Sequence, residues 1–492
     1  MRSSVGAKTR TSRGATLLLY SCAAALIVGL HLGLNGVLGF HIDELYYIAS
    51  GRHPAFGYVD FPPIVPLLAR VETDLLGVTP WTVRLLPAMV GGVNALMCGA
   101  YARRLGGSMR VQALALLVGV TAPAILGTWL FQTVVFDQLT WMVALYLLLG
   151  LALDPRPRDW ILLGLALGIG LEVKYTIVGL VAGIVVAVLA TPSLRAALRT
   201  RYPWIGAAVA LAAWSPNLAW QLANGLPSLE YMRNHGGGGI GSYLLLFLVI
   251  LFLLTPLWIA GLVSLFRSRD LRPVGIASAV PLLIFAASGK GYYAAPAVPI
   301  VMVQGLMAMS RLERPRLRAT LSVAVVLACV LNAVTLSKLV LPITPAERLH
   351  ATGLDTQNPD FGLTVGWPEI AAQVTAMYRA LPAPERRAAI IISSDYGGQG
   401  ALAVYSNPSQ LPVVASPQLS EWYWLPPDQL ATDALMVGYA PADISWMCAS
   451  TAVVGHLTVP FGVANLEQGA PVTECHLKVP LQSAWGRLKN FA

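Results

Sequence analysis

A run of about 15–25 apolar residues can cross a ~30 Å hydrocarbon layer as a helix, and up to about Leu341 this chain is assembled from such runs. Gly, Pro and charge punctuate them into segments near 15–37, 82–101, 111–127, 131–151, 159–171, 174–191, 203–222, 243–266, 274–288, 292–309 and 318–341. Apolar residues make up 56% of the 492 positions and charged ones 12%, where a soluble protein carries about a quarter charged residues. A soluble enzyme is thereby excluded. The expectation is an α-helical polytopic membrane protein with about eleven transmembrane helices over 1–341 and a soluble tail over 342–492. The first run lacks a small-residue cleavage site and is followed by more spans, so it reads as an anchor and not a cleaved signal.

Basic residues beside spans stay on the cytoplasmic side. The N-terminus (Arg2, Lys8, Arg10, Arg13) and every second loop, such as Arg103, Arg104, Arg110 and Arg311 to Arg318, are rich in them. The alternate loops hold only Arg52, Arg70, Arg84, Lys174, Arg233 and Lys290. With an odd number of spans, the N-terminus is expected in the cytoplasm and the tail outside. The formal charge of +9 reflects this placement of arginines and argues for no nucleic-acid partner.

The first outer loop, 38–81, is too long for a simple connector and is rich in Tyr, Phe, Leu and Ile. Segments 43–50 and 63–76 have the spacing of short amphipathic helices lying in the interface plane. Asp43 and Glu44 open this loop. An arbitrary acidic pair is usually a solvated helix end, but a carboxylate at membrane depth costs about 2.5–3.5 kcal/mol on insertion scales and tends to mark a site. Asp137 stands near the outer end of an apolar span with no base beside it in sequence. At the same level lie Glu172 and Lys174 in GLEVKYT, His235 in a Gly-rich loop, and Lys290 with Tyr292 and Tyr293 in SGKGYYAAP. Either lysine alone is explained by snorkelling to headgroups; both together with rim acids read as an anion site. The result is an outer cavity with acids able to deprotonate a hydroxyl or hold a metal, and with Lys and Tyr able to hold a phosphate. At this level the phosphate would be a lipid phosphate. There is no Walker A, no GxGxxG opening a helix after a strand, no HExxH and no CxxC, and no GxSxG elbow follows the Gly-rich loop at 235–239, which reads as a flexible connector.

At these residues the chain resembles the bacterial protein mannosyltransferase and aminoarabinose transferase group, polyprenyl-phosphate-sugar-dependent GT-C glycosyltransferases. The resemblance rests on DELYYIASGRHPAFGYVDFPPIVPLLARV, the FDQLTWMVALYLL span, GLALGIGLEVKYT, SPNLAWQLANGLPSLEYM and GKGYYAAPAVP, and more weakly on GWPEIAAQV and DYGGQGALAVY in the tail. It implies inverting transfer of a sugar from a polyprenyl-phosphate donor to a hydroxyl acceptor in the cell envelope, outside the cytoplasmic membrane. It implies Asp43 as general base, Glu44 as a supporting or metal-binding acid, and Asp137 as a second acid that faces the acceptor or orients Asp43. Lys174 and Lys290 match positions for donor phosphate contact, with Tyr292 and Tyr293 beside them. His53, Tyr58 and Asp60 match the loop motif, where Asp60-Phe61-Pro62-Pro63 suits a rigid turn because two prolines fix φ and block a helix. A divalent cation is left open as cofactor. In the tail, relatives often show Asn-Tyr-Gly-Glu where this chain has Asp395-Tyr396-Gly397-Gly398.

The tail alternates helix (WPEIAAQVTAMYRAL), β run (AAIIISS), a helix after Gly397–Gly400, and β runs at LPVVAS, ALMVGY and VVGHLTV, which is the pattern of a small extracytoplasmic α/β domain. Trp422, Tyr423 and Trp424 either cap the cavity or serve core and interface packing. Of five cysteines only Cys448 and Cys475 lie outside apolar spans. They either bridge in an oxidising compartment or remain two buried thiols. The rival function is a transporter or flippase of a lipid-linked sugar, which needs access from both faces; here the polar groups gather at one face without an internal repeat. A non-catalytic assembly factor is a third reading.

Overall fold

A computed structural model describes residues 13–234, 239–286, 288 and 290–491. Residues 235–238 of the Gly-rich loop, and Arg2, Lys8 and Arg10, lie outside the described residues. Each of the eleven apolar segments is helical. By length and composition five are long and apolar enough to cross a membrane: Arg13–Leu34, Pro80–Arg104, Thr133–Leu153, Gly291–Ser310 and Pro315–Val340. The other segments form shorter helices, among them Met109–Thr121, Ile177–Ala190 and Arg272–Ala286.

The segment expected as one span over 243–266 is two helices, Ile240–Leu251 and Thr255–Arg267, joined by a 3-10 turn at Phe252–Leu254 and bent by 89°. Apolarity runs through the break and hides it, while Pro256 supplies the cause: proline has no N–H to return to the preceding turn. Close helix packing in the bundle uses small residues. A Cβ added to Gly164 would lie 2.0 Å from the Gly206 carbonyl oxygen, so the helices Pro157–Leu171 and Tyr202–Ala223 touch backbone to backbone.

The first long loop carries helices Ile42–Arg52 and Ile64–Leu76. The first of these departs from an interface helix with one wet face, since nine of its eleven residues are buried. What covers it is the tail helix Tyr396–Tyr405, whose glycines permit contact: a Cβ at Gly397 would meet Ile42 Cγ1 at 2.6 Å, and one at Gly400 would meet Leu45 Cβ at 2.8 Å. This helix starts before the glycines and not after them, because the Asp395 side chain caps it by accepting from Gly398 N at 2.7 Å.

The tail sheet holds β1 (Ala389–Ser393), β2 (Val414–Ala415), β3 (Asp433–Val437), β4 (Cys448–His456) and β5 (Pro471–Leu477) in the order β2-β1-β3-β5-β4. β1 runs parallel to β2 and β3, and β5 lies antiparallel between β3 and β4. The run PVTECHL that forms β5 begins with proline and carries Glu and His, so it does not read as a strand. Helix Trp367–Ala380 covers one face of the sheet, with Val374 and Tyr378 in a core shared with Leu435 and Val437. The other face buries Ile390, Ile392, Met436 and Trp485. Cys448 and Cys475 are disulfide-bonded, with Cα atoms 5.5 Å apart; Cys22, Cys98 and Cys329 are free.

Candidate active site

Helix Ile42–Arg52 opens on a capping box in which Asp43 N donates to His41 Nδ1 (3.2 Å) and His41 N donates to Glu44 Oε2 (2.9 Å). The cap turns Glu44 inward. There Arg84 meets it with two bonds, Nε to Oε1 at 2.9 Å and Nη2 to Oε2 at 2.7 Å, and Phe131 N adds a third to Oε1 at 2.9 Å. Arg84 also donates to the carbonyls of Asn35, Leu38 and Gly39. Both side chains are fully buried. Of the two roles expected for Glu44, supporting or metal-binding, the geometry accords with the supporting one: its oxygens are occupied, and it joins the first helix, the long loop and the 131 segment in one buried knot.

Successive residues on a helix point about 100° apart, so the inward turn of Glu44 leaves Asp43 facing a cavity of about 260 Å³. Gln132 Nε2 donates to Asp43 Oδ2 at 2.9 Å and the Tyr396 hydroxyl donates to Oδ1 at 3.0 Å. About a third of the Asp43 side chain stays open. Asp60 lines the same cavity, accepting from the Tyr46 hydroxyl at 3.0 Å while that hydroxyl accepts from Ser420 N at 3.0 Å. Burial pushes the Asp60 carboxyl up to about 7; the Tyr46 bond works against this and the charge of Asp43 adds to it.

Lys174 and Lys290 also line the cavity. Lys174 Nζ sits 5.5 Å and 5.7 Å from the ring centroids of Tyr292 and Tyr293, and Lys290 Nζ 5.5 Å from that of Tyr293. Among the described residues no carboxylate lies within 4 Å of either ammonium. Lys174, Tyr292 and Tyr293 also line a second cavity of about 410 Å³, whose wall includes the apolar Val249, Leu336 and Val340. Asp137 belongs to this second cavity. Its oxygens accept from Trp141 Nε1 (3.0 Å) and Thr176 Oγ1 (2.8 Å), and Asp43 is oriented by Gln132 and Tyr396 instead.

The remaining loop residues divide. Tyr58 is buried, its hydroxyl donating to Ser50 O and accepting from Ala55 N, which fixes the turn around 53–58. His53 faces away from Asp43 into a third cavity of about 560 Å³, stacked on Trp424 with ring centroids 4.2 Å apart. Trp422 and Tyr423 pack edge-on against each other and near Phe491. Sequence reasoning assigned no site role to Gln132, to Arg84, counted only as an outer-loop base, or to Tyr46, which stood in the quoted DELYY motif. Tyr396 stood in a quoted motif, yet nothing local ties it to Asp43.

The first cavity is lined by two acids, Asp43 and Asp60, and two lysines, Lys174 and Lys290. Glu44 is withdrawn from it, and the only close His/Cys/Asp/Glu group among the described residues that could hold a metal lies elsewhere, in the tail. No step is routed through a metal ion.

Residues 60–220 match the dolichyl-phosphate-mannose-protein mannosyltransferase family. The chain superposes on the crystal structure of ArnT from Cupriavidus metallidurans bound to undecaprenyl phosphate, with a TM-score of 0.62 at 17% identity, covering 95% of this chain and 99% of that one. The fold is that of the GT-C glycosyltransferases. A second GT-C protein, the Archaeoglobus fulgidus oligosaccharyltransferase in its apo form, superposes with a TM-score of 0.51 at 14% identity, over 82% of this chain and 66% of that one. In sequence, the lipid A galacturonosyltransferase RgtD of Rhizobium johnstonii is 30% identical over 199 residues, which is 40% of this chain and 41% of that relative's length. The relatives named here are membrane glycosyltransferases, and the chain spans less than half the length of the curated one.

Proposed function

We propose that the protein is a glycosyltransferase that moves a sugar from a polyprenyl-phosphate donor to a hydroxyl acceptor in the cell envelope, with inversion at the anomeric carbon. The observation that carries this reading is the presence, in one cavity, of a partly open carboxylate, Asp43, and two lysines, Lys174 and Lys290, neither of which has a carboxylate within 4 Å among the described residues. The acceptor oxygen attacks the anomeric carbon while Asp43 takes its proton, and the bond from that carbon to the phosphate oxygen breaks. Lys174 and Lys290 meet the charge on the departing lipid phosphate, a stabilisation of developing charge that needs no rearrangement at the moment of reaction. One displacement inverts the configuration. The apolar wall of the adjoining cavity suits the first isoprene units of the donor.

In this reading 1–341 is the membrane body of a cytoplasmic-membrane protein, its N-terminus faces the cytoplasm, and 342–492 is an extracytoplasmic domain. The distribution of arginines and the Cys448–Cys475 disulfide support that placement. The test is an assay of the purified protein with synthetic polyprenyl-phosphate sugars and envelope glycolipid acceptors. Transfer by the wild type and a loss of about 10²–10⁴-fold in a folded Asp43→Asn variant are expected. Activity of Asp43→Asn within threefold of wild type would remove Asp43 from the reaction.

A further inference from the structure

Away from the cavity, the tail sheet brings together a second set of side chains that the transfer reaction does not use. Side chains two apart on a strand share a face, so Glu474 and His476 of β5 project together, on either side of the disulfide-bonded Cys475, which faces the opposite way. The antiparallel register puts Asp433 of β3 directly opposite His476. Asp433 Oδ1 binds His476 Nδ1 at 2.5 Å, and its other oxygen accepts from Thr432 Oγ1 at 2.8 Å. Both oxygens of Asp433 are thus engaged, and the imidazole is held with Nε2 free of any partner among the described residues. Glu385, from the short helix Ala383–Ala388, comes over the same face. One ligand atom from each of Glu385, Glu474 and His476 lies within 4.8 Å of the others.

Two features make this more than a group of surface acids. Glu474 Oε1 is a buried atom with no hydrogen-bond partner, and no Lys or Arg forms an ion pair with Glu385 or Glu474 among the described residues. The two carboxyl groups face each other, and His476 is the base beside them. Burial raises the Glu474 carboxyl, Glu385 raises it further, and His476 counters both. A histidine whose second ring nitrogen is held by a carboxylate is the arrangement by which proteins orient imidazole toward a metal. One nitrogen and two carboxylate oxygens form a ligand set suited to zinc and its neighbours.

We propose that Glu385, Glu474 and His476 bind one divalent cation of the zinc class, with Asp433 as the positioning residue for His476. The ion clamps the Ala383–Ala388 helix onto β5, and so fastens from one face the strand that the disulfide fastens to β4 from the other.

The experiment uses the full-length protein in detergent, purified through a tag without histidines and stripped by a chelator. Zn²⁺ is titrated by calorimetry, and Co²⁺ is followed by its visible absorbance. Binding of one equivalent is expected, together with a rise in thermal midpoint on adding Zn²⁺. His476→Gln and Glu474→Gln should each abolish the Co²⁺ spectrum while leaving the metal-free thermal midpoint near that of the wild type. Asp433→Asn should weaken Zn²⁺ binding by about 10–100-fold, the usual effect of losing such a partner. Wild-type protein that binds no more Zn²⁺ than the Glu474→Gln/His476→Gln double variant, or a Co²⁺ spectrum unchanged by His476→Gln, overturns the proposal. In the first case the two carboxyl groups share a proton instead.

Discussion

The Tyr396 hydroxyl donates to Asp43 Oδ1 at 3.0 Å across 353 residues of chain, so the tail supplies one of the two hydrogen bonds that orient the proposed base. Tyr396→Phe removes that bond and little else. A net loss of about 1 kcal/mol corresponds to a fall in turnover of roughly fivefold, with donor affinity unchanged because the lysines are untouched. A Tyr396→Phe enzyme with wild-type turnover in the transfer assay would show that Gln132 alone suffices.

The lysines act on the other substrate group. Lys174→Ala and Lys290→Ala each remove a cation from the cavity wall, and a lost charge-assisted hydrogen bond typically costs about 1.5–3 kcal/mol. Donor affinity should therefore fall by roughly ten- to a hundredfold in each variant, read by direct binding of a polyprenyl phosphate. Unchanged affinity in both would return the lysines to snorkelling.

Glu44 and Arg84 predict a different phenotype. Breaking a buried ion pair by removing one partner strands the other charge and costs about 3–5 kcal/mol. Glu44→Ala and Arg84→Ala should each lower the thermal midpoint in detergent sharply. Glu44→Leu with Arg84→Met should be milder than either, because no charge is left stranded. A double variant as unstable as the sum of the singles would mean that the bonds from Arg84 to the carbonyls of Asn35, Leu38 and Gly39 dominate.

Asp60 adds a pH dependence whose sign follows from linkage. Its carboxyl is raised from an ordinary 3.8 to about 7, so the folded protein holds this proton more tightly than the unfolded chain does. The stability it contributes is present below about 4 and is lost as pH rises through about 7. Thermal midpoints measured across that window should fall with rising pH in the wild type and fall less in Asp60→Asn. Identical slopes would place the titration on another group.

Much of this site is legible in the sequence, where chemistry follows from local spacing. Asp43 of the DE pair opening a long loop, the isolated Asp137 and the two lysines on sparsely basic loops all reach one of two adjoining cavities, because charge in an apolar segment has few other uses. Partner assignments are harder to read. Asp43 and Glu44 are adjacent and equally acidic, and only Arg84, forty residues on, separates the one that is buried from the one that faces the cavity. Tyr396 is set against Asp43 by glycines packing on Ile42 and Leu45, a long-range fit with no periodicity to announce it. The break at Phe252–Leu254 and the strand Pro471–Leu477 were obscured for opposite reasons: uniform apolarity masks a turn in the first, and Pro, Glu and His disguise a strand in the second.

The close approach of Gly397 and Gly400 to the helix Ile42–Arg52 bears on how this enzyme can be recombined. A hybrid that keeps the N-terminal body and takes everything after Leu341 from another protein must also import small residues at these two positions. Side chains larger than hydrogen there would hold the grafted helix away and leave the tyrosine short of its carboxylate, however well each half folded. The Tyr396–Asp43 contact is therefore not transferable by swapping the tail alone: the loop around Asp43 and the helix that begins at Tyr396 have to be exchanged as a matched pair.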